Sequence, residues 1–155
     1  PPLLQGGGQE SGLRSGTEGT PAIFAFAAAC TAGASTFRED TAREKALLEE
    51  LATRLAGTDG IVINGCHEAP HILSLSVPGV PTQNTINILQ DHGICVSAGS
   101  ACAKGHRSHV LTAMKLSPEV IDGSLRVSLC KDTTKEELNK LVEVIATQIV
   151  PRFCK

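Results

Sequence analysis

Residues 97–105 read Ser-Ala-Gly-Ser-Ala-Cys-Ala-Lys-Gly, which sets one cysteine, Cys102, in a run of small side chains between a strand-like stretch and a helix-like one. Small neighbours cannot wall a sulfur off from solvent. Gly99 and Gly105 leave the backbone free to turn, and Lys104 supplies a positive charge that favours the thiolate. The chemistry this suits is nucleophilic, an ionised thiol offered to an electrophile. Cys102, His106 and His109 also hold zinc-ligand types within eight positions, but a structural zinc site needs four ligands and a small-residue loop presents only these three. No metal is expected. The other cysteines, at 30, 66, 95, 130 and 154, form no C-x-x-C pair and read as small apolar fillers, with His67 and His71 as surface residues beside a strand.

The elements that must hold such a thiol are legible from periodicity. Residues 1–20 contain six of the fifteen glycines and no apolar repeat, so they read as loop. A helix is expected from Pro21 to Gly33, apolar on every side, which suits an interface or the centre of a larger body. Residues 41–56 form an amphipathic helix with Leu47, Leu48, Leu51 and Leu55 on one stripe. Strands are expected at 61–63, 71–77, 94–96 and 124–129, the last with Leu125, Val127 and Leu129 inward. Thr82 is expected to cap a helix over 83–90, helices follow at 106–114 and from Ser117-Pro118-Glu119, and the 133–137 segment opens a final one carrying Leu138, Leu141, Val142, Ile145 and Ile149. The pattern is α/β or α+β, a mixed sheet of a few strands packed with helices.

Composition narrows the function. At 155 residues the chain suits one domain, able to bury roughly 68–70% of its unfolded surface. Hydrophobic residues are 41%, yet Trp and Tyr are absent and only four Phe occur, so the interior must be aliphatic and offers bases no stacking platform. Net charge is −2, with seven Lys and seven Arg scattered, which argues against nucleic acid as partner. The longest apolar run, 22–34, falls short of the ~20 residues of a spanning helix, so a soluble protein is expected. Unpaired, widely spaced cysteines point to a reducing, cytoplasmic compartment. Opening on Pro1-Pro2 without an initiator Met, the chain reads as a piece of something longer.

Two stretches together resemble the NifS-like cysteine desulfurases, fold-type I enzymes of the class V aminotransferase family that use pyridoxal phosphate. These are Gly6-Gly7-Gly8-Gln9-Glu10 through Arg14-Ser15-Gly16-Thr17-Glu18, and Ser97-Ala98-Gly99-Ser100-Ala101-Cys102, with Ser108-His109-Val110-Leu111 and Ser124-Leu125-Arg126-Val127-Ser128 in support. The resemblance covers nearly the whole chain and only the C-terminal portion of the family's polypeptide. It implies a small C-terminal domain at 21–155 with its persulfide-cysteine loop at 97–105, preceded by a cofactor and dimer loop at 1–20. The N-terminal domain with the cofactor lysine would lie outside, since no His-Lys pair occurs in this sequence.

By the same resemblance, Cys102 attacks the sulfur of L-cysteine, giving alanine and a persulfide. Arg126 receives the substrate carboxylate, a task suited to its planar fork. Thr17, with Ser15 and Arg14 beside it, reaches the cofactor phosphate, although Gly19 stands where the family usually has asparagine. For each a plainer reading stands alongside: Arg126 in a surface ion pair, Thr17 in a turn before a helix. The implied partners are a sulfur-acceptor protein, in iron–sulfur assembly or another pathway, and a second copy in a homodimer. The chain by itself, lacking the lysine, is expected to be inactive, and a non-catalytic sulfur-accepting or dimerising module and a selenocysteine lyase-like enzyme remain open.

Overall fold

The computed structural model describes residues 1–66, 68–98 and 107–153. They form two compact units, Pro1–Arg38 and Glu39–Lys155.

In the first unit the glycine-rich stretch folds back on itself. The Leu3 amide donates to the Leu13 carbonyl (2.8 Å), and Leu4 and Arg14 form a parallel bridge around a tight helical turn at Glu10–Gly12. Gly6 holds φ at +149°, and a Cβ there would lie 2.9 Å from that of Ser15, so only glycine lets the two arms of the loop approach this closely. Helix α1, Thr20–Ala34, follows. None of its residues is buried, and Phe24 is 75% exposed. No single helix among the described residues is long and apolar enough to cross a membrane.

The second unit has the expected aliphatic core. Its first helix, α2, is Phe37–Ala56, and Leu48, Leu51 and Leu55 bury one stripe of it almost completely. Three strands follow: β1, Val62–Ile63; β2, Ile72–Ser76; and β3, Ser124–Ser128, in the order β1-β2-β3. Leu73 and Leu75 of β2 and Leu125 of β3 face the helices, each buried leucine contributing about 1.5–3 kcal/mol over an exposed one. Helix α3, Thr82–Asp91, packs over this layer through Thr85 and Leu89, and α6, Lys135–Val144, through Leu138, Leu141 and Val144. Thr134 and Glu137 close a reciprocal capping box at the start of α6. The helix then widens to π geometry over Ile145–Ile149, both isoleucines fully buried, and ends in α7, Val150–Phe153.

The α+β class holds, with four differences in detail. Both strand pairings are antiparallel, where a mixed sheet is expected, because β2 returns against β1 after a short connection and β3 re-enters alongside β2 in the opposite sense. Residues 94–96 form no strand; the segment reaches β3 only through a bridge at Ser97. Pro81, not Thr82, is the cap of α3: the Thr82 hydroxyl shares its proton between the carbonyls of Asp122 and Ser124 (2.8 and 2.9 Å). Helix α4 is His109–Ala113, starting where the Ser108 side chain accepts from the Leu111 amide, and α5 is Pro118–Asp122, capped by Ser117 in the same way.

Candidate functional site

Strand β3 presents the central residue of the candidate site. Its leucine and valine point into the core, so by the two-residue alternation Arg126 points to the opposite face and is exposed. On one side Arg126 is flanked by Ser97: its amide donates to the Ser97 carbonyl (2.8 Å) and its carbonyl accepts from the Ser97 amide (3.1 Å). Because both main-chain groups point that way, Arg126 and its register partner on β2, Ser74, are a non-hydrogen-bonded pair, the closer of the two antiparallel spacings. A serine there leaves room for a guanidinium. That guanidinium makes no hydrogen bond or ion pair with any described residue.

Around this face lies a cavity of about 640 Å³, within the range of small-ligand pockets. Asn64, Ser74, Ser97, Ser108, His109 and Arg126 give it polar groups, while Ile72, Val110, Leu111 and Met114 make an apolar wall. Asn64, 5% exposed, was not legible as a site residue. Its amide nitrogen donates to the hydroxyls of Ser74 (3.2 Å) and Ser76 (2.8 Å), tying the end of β1 to β2, and its buried Oδ1 has no partner among the described residues. The serine alternation in β2 was the one signal that could have found it. His109 enters through the Ser108 cap, which sets the first turn of α4 against the cavity.

Cys102 falls outside the described residues, as do Lys104 and His106; Ser97 and Ala98, which lead into that segment, line the cavity with Arg126. Of the other cysteines, 30, 66, 95 and 130 are free and exposed, not the buried fillers expected. His71 is exposed as expected.

Arg14, Ser15 and Thr17 belong to the first unit. Ser15 donates its hydroxyl to the Gly7 carbonyl (2.7 Å), Arg14 Nη1 donates to the Gly16 carbonyl (3.2 Å), and the Gly16 amide donates to Gln9 Oε1 (3.3 Å). These bonds order the turn. Thr17 is exposed, and its hydroxyl and the remaining guanidinium donors of Arg14 are uncommitted among the described residues. A guanidinium donates only and a hydroxyl can donate as well as accept, so both groups suit an anion.

Residues 4–141 match the model of the aminotransferase class-V family. The chain belongs to that family. It is 37% identical to a NifS/IcsS protein homolog of Lactobacillus delbrueckii subsp. bulgaricus over 99% of its own length and 41% of that relative's. To the mitochondrial cysteine desulfurase of Arabidopsis thaliana it is 36% identical, over 96% of this chain and 33% of that one. The solved NifS-like protein from Rickettsia africae superposes with a TM-score of 0.79 at 31% identity, covering 94% of this chain and 39% of that chain. This class-V chain therefore spans well under half the length of the curated relatives it matches.

Proposed function

We propose that the whole protein is a pyridoxal-phosphate-dependent cysteine desulfurase, and that this chain supplies its carboxylate-binding arginine and its sulfur-carrying thiol. The observation that carries the reading is an Arg126 guanidinium, without a partner among the described residues, in a cavity that Ser97 and Ala98 also line. The similarity to NifS-like proteins and a desulfurase supports it.

The residues present fit the phosphate end of the cofactor, through the uncommitted donors of Thr17 and Arg14 beside an ordered Ser15. They do not include its covalent anchor: residues 1–38 contain no lysine, and none of the described lysines lines the cavity. That anchor would come from the rest of the whole protein. Pyridoxal phosphate, when bound, draws electrons from the substrate's carbon skeleton and loosens its bond to sulfur.

In this reading the Arg126 fork takes the α-carboxylate of L-cysteine through two parallel hydrogen bonds, fixing the amino acid against the apolar wall. The Cys102 thiolate attacks the substrate sulfur. A sulfur–sulfur bond forms as the carbon–sulfur bond breaks, the bond pair stays with the carbon skeleton, and a proton completes alanine. Cysteine plus protein thiol thus becomes alanine plus protein persulfide, which passes its outer sulfur to an acceptor protein. The all-round apolar, unburied α1 supports an assembled form, a homodimer.

The test is alanine formation from L-cysteine by the full-length protein, with mass mapping of the thiol that gains 32 mass units of sulfur. Cys102→Ser abolishes both signals. A normal rate in that variant would defeat the proposal, and a colourless, inactive full-length protein would favour the non-catalytic sulfur-accepting module instead.

A further inference from the structure

Four adjacent stretches of chain each contribute one polar residue to a single row across the sheet. The main-chain amide of Asn64, just past β1, donates to the Ser74 carbonyl on β2 (2.9 Å), Ser74 is in register with Arg126 on β3, and Arg126 bridges to Ser97. All four line the cavity. Within this row the two serines beside Arg126 are not equivalent. Ser97 is its hydrogen-bonded partner, at the wider antiparallel spacing of about 5.5 Å between Cα atoms, whereas Ser74 takes the closer spacing of about 4.5 Å. The Ser74 hydroxyl is also already oriented. Both N–H bonds of the Asn64 side-chain amide are directed at serine oxygens, Oγ of Ser74 (3.2 Å) and Oγ of Ser76 (2.8 Å). Ser74 Oγ therefore accepts, and its own proton has no acceptor among the described residues. Ser76 is fully buried and does not line the cavity, so Ser74 alone offers that proton to a ligand.

We propose that Ser74 is a second donor to the substrate carboxylate, its hydroxyl taking a lone pair that the Arg126 fork leaves unused, with Asn64 as the residue that positions it. The inference rests on the reading of Arg126 as carboxylate receptor and deepens it. A carboxylate offers about four lone-pair sites and a guanidinium fork occupies only two, so a neighbouring hydroxyl adds to the fork without displacing it. The acceptor must come from a ligand, because no Asp or Glu is among the described residues lining the cavity. Asn64 acts at one remove. Its Oδ1 is buried without a partner among the described residues, so the engaged end of this amide is its donor end, and what that end supplies is the orientation of the serine hydroxyls.

The experiment compares the full-length protein with Ser74→Ala, Ser74→Val, Ser74→Thr and Arg126→Ala, reading kcat and KM for L-cysteine and the inhibition constant of cysteamine, which has the same thiol and amine but no carboxylate. Ser74→Ala raises KM roughly tenfold, the loss of one hydrogen bond to a charged group, and changes kcat far less. Ser74→Val binds as weakly as the alanine variant. Ser74→Thr, of the same shape as valine but with the hydroxyl kept, returns KM to within about threefold of the wild type, since a strand accepts either β-branched side chain. Cysteamine competes equally with the wild type and with Ser74→Ala. The fold survives these changes because Ser76 still accepts from Asn64. An unchanged KM in the alanine and valine variants while Arg126→Ala raises it would overturn the role of Ser74, as would a threonine variant no better than valine or a cysteamine constant that rises with KM. An unchanged KM in Arg126→Ala would instead remove the reading beneath it.

Discussion

Ser97 and Arg126 exchange a pair of backbone hydrogen bonds, and this one bridge ties the approach to Cys102 to the strand that displays the candidate carboxylate receptor. The bridge uses main-chain atoms only, and the Arg126 side chain has no partner among the described residues. Its neighbour across the sheet, Ser74, is small enough not to compete for the space.

Replacing Arg126 therefore separates binding from folding. Loss of a charge-assisted, bidentate hydrogen bond costs about 1.5–3 kcal/mol, or roughly 10- to 150-fold in affinity. Arg126→Ala is expected to raise KM for L-cysteine by that factor in the full-length protein with the melting temperature nearly unchanged. Arg126→Lys recovers only part of the loss, since an ammonium offers no planar fork. Saturation at the wild-type cysteine concentration in both variants would take Arg126 out of the site.

Gly123 makes the opposite kind of prediction, one of stability. A Cβ at this position would lie 2.1 Å from the Val77 carbonyl oxygen and 3.0 Å from that of Val80, and both are backbone atoms that cannot swing aside. The α5–β3 junction must move if anything larger than hydrogen is placed there. Gly123→Ala should destabilise the protein by about 1–3 kcal/mol in denaturant titration. It should also lower activity beyond the loss in folded fraction, because the displaced residue leads into the strand that presents Arg126. An unchanged midpoint would mean that the junction is more yielding than its geometry indicates.

Much of this arrangement was legible because periodicity reports burial. The alternation in 124–129 placed Leu125, Val127 and Leu129 inward and so sent Arg126 outward, and the leucine stripes of α2 and α6 followed the same logic. What was illegible depends on contacts distant in sequence. Thr82 has the type and place of a helix cap, yet two carbonyls 40 and 42 residues away claim its hydroxyl. The apolar 94–96 segment suits a strand, but only the following residue reaches β3. Arg107 and Asp122 carry no pattern at all: neither lies on a shared periodic face, and only the fold brings them into a fork in which Nε donates to Oδ1 (2.7 Å) and Nη2 to Oδ2 (2.6 Å). Asn64 was hidden for the same reason, its partners being two serines on the next strand.

The Arg107–Asp122 fork also sets a pH dependence whose sign is fixed by the direction of the carboxyl shift. Arg107 stays protonated throughout, so Asp122 alone decides whether the pair exists. The folded state holds that carboxyl below its ordinary value of 3.8, first through the Arg107 hydrogen bonds. The unfolded chain therefore binds the proton more readily, and stability from this pair is complete above 3.8 and is lost as pH falls through the lower folded value. Comparing the thermal midpoints of wild type and Asp122→Asn should show a gap that is constant from pH 7 to about 5, narrows on further acidification, and shrinks at high salt because the pair is half exposed. A gap that widens on acidification would mean that the carboxyl is held above its ordinary value instead, and that the fork contributes nothing at neutral pH.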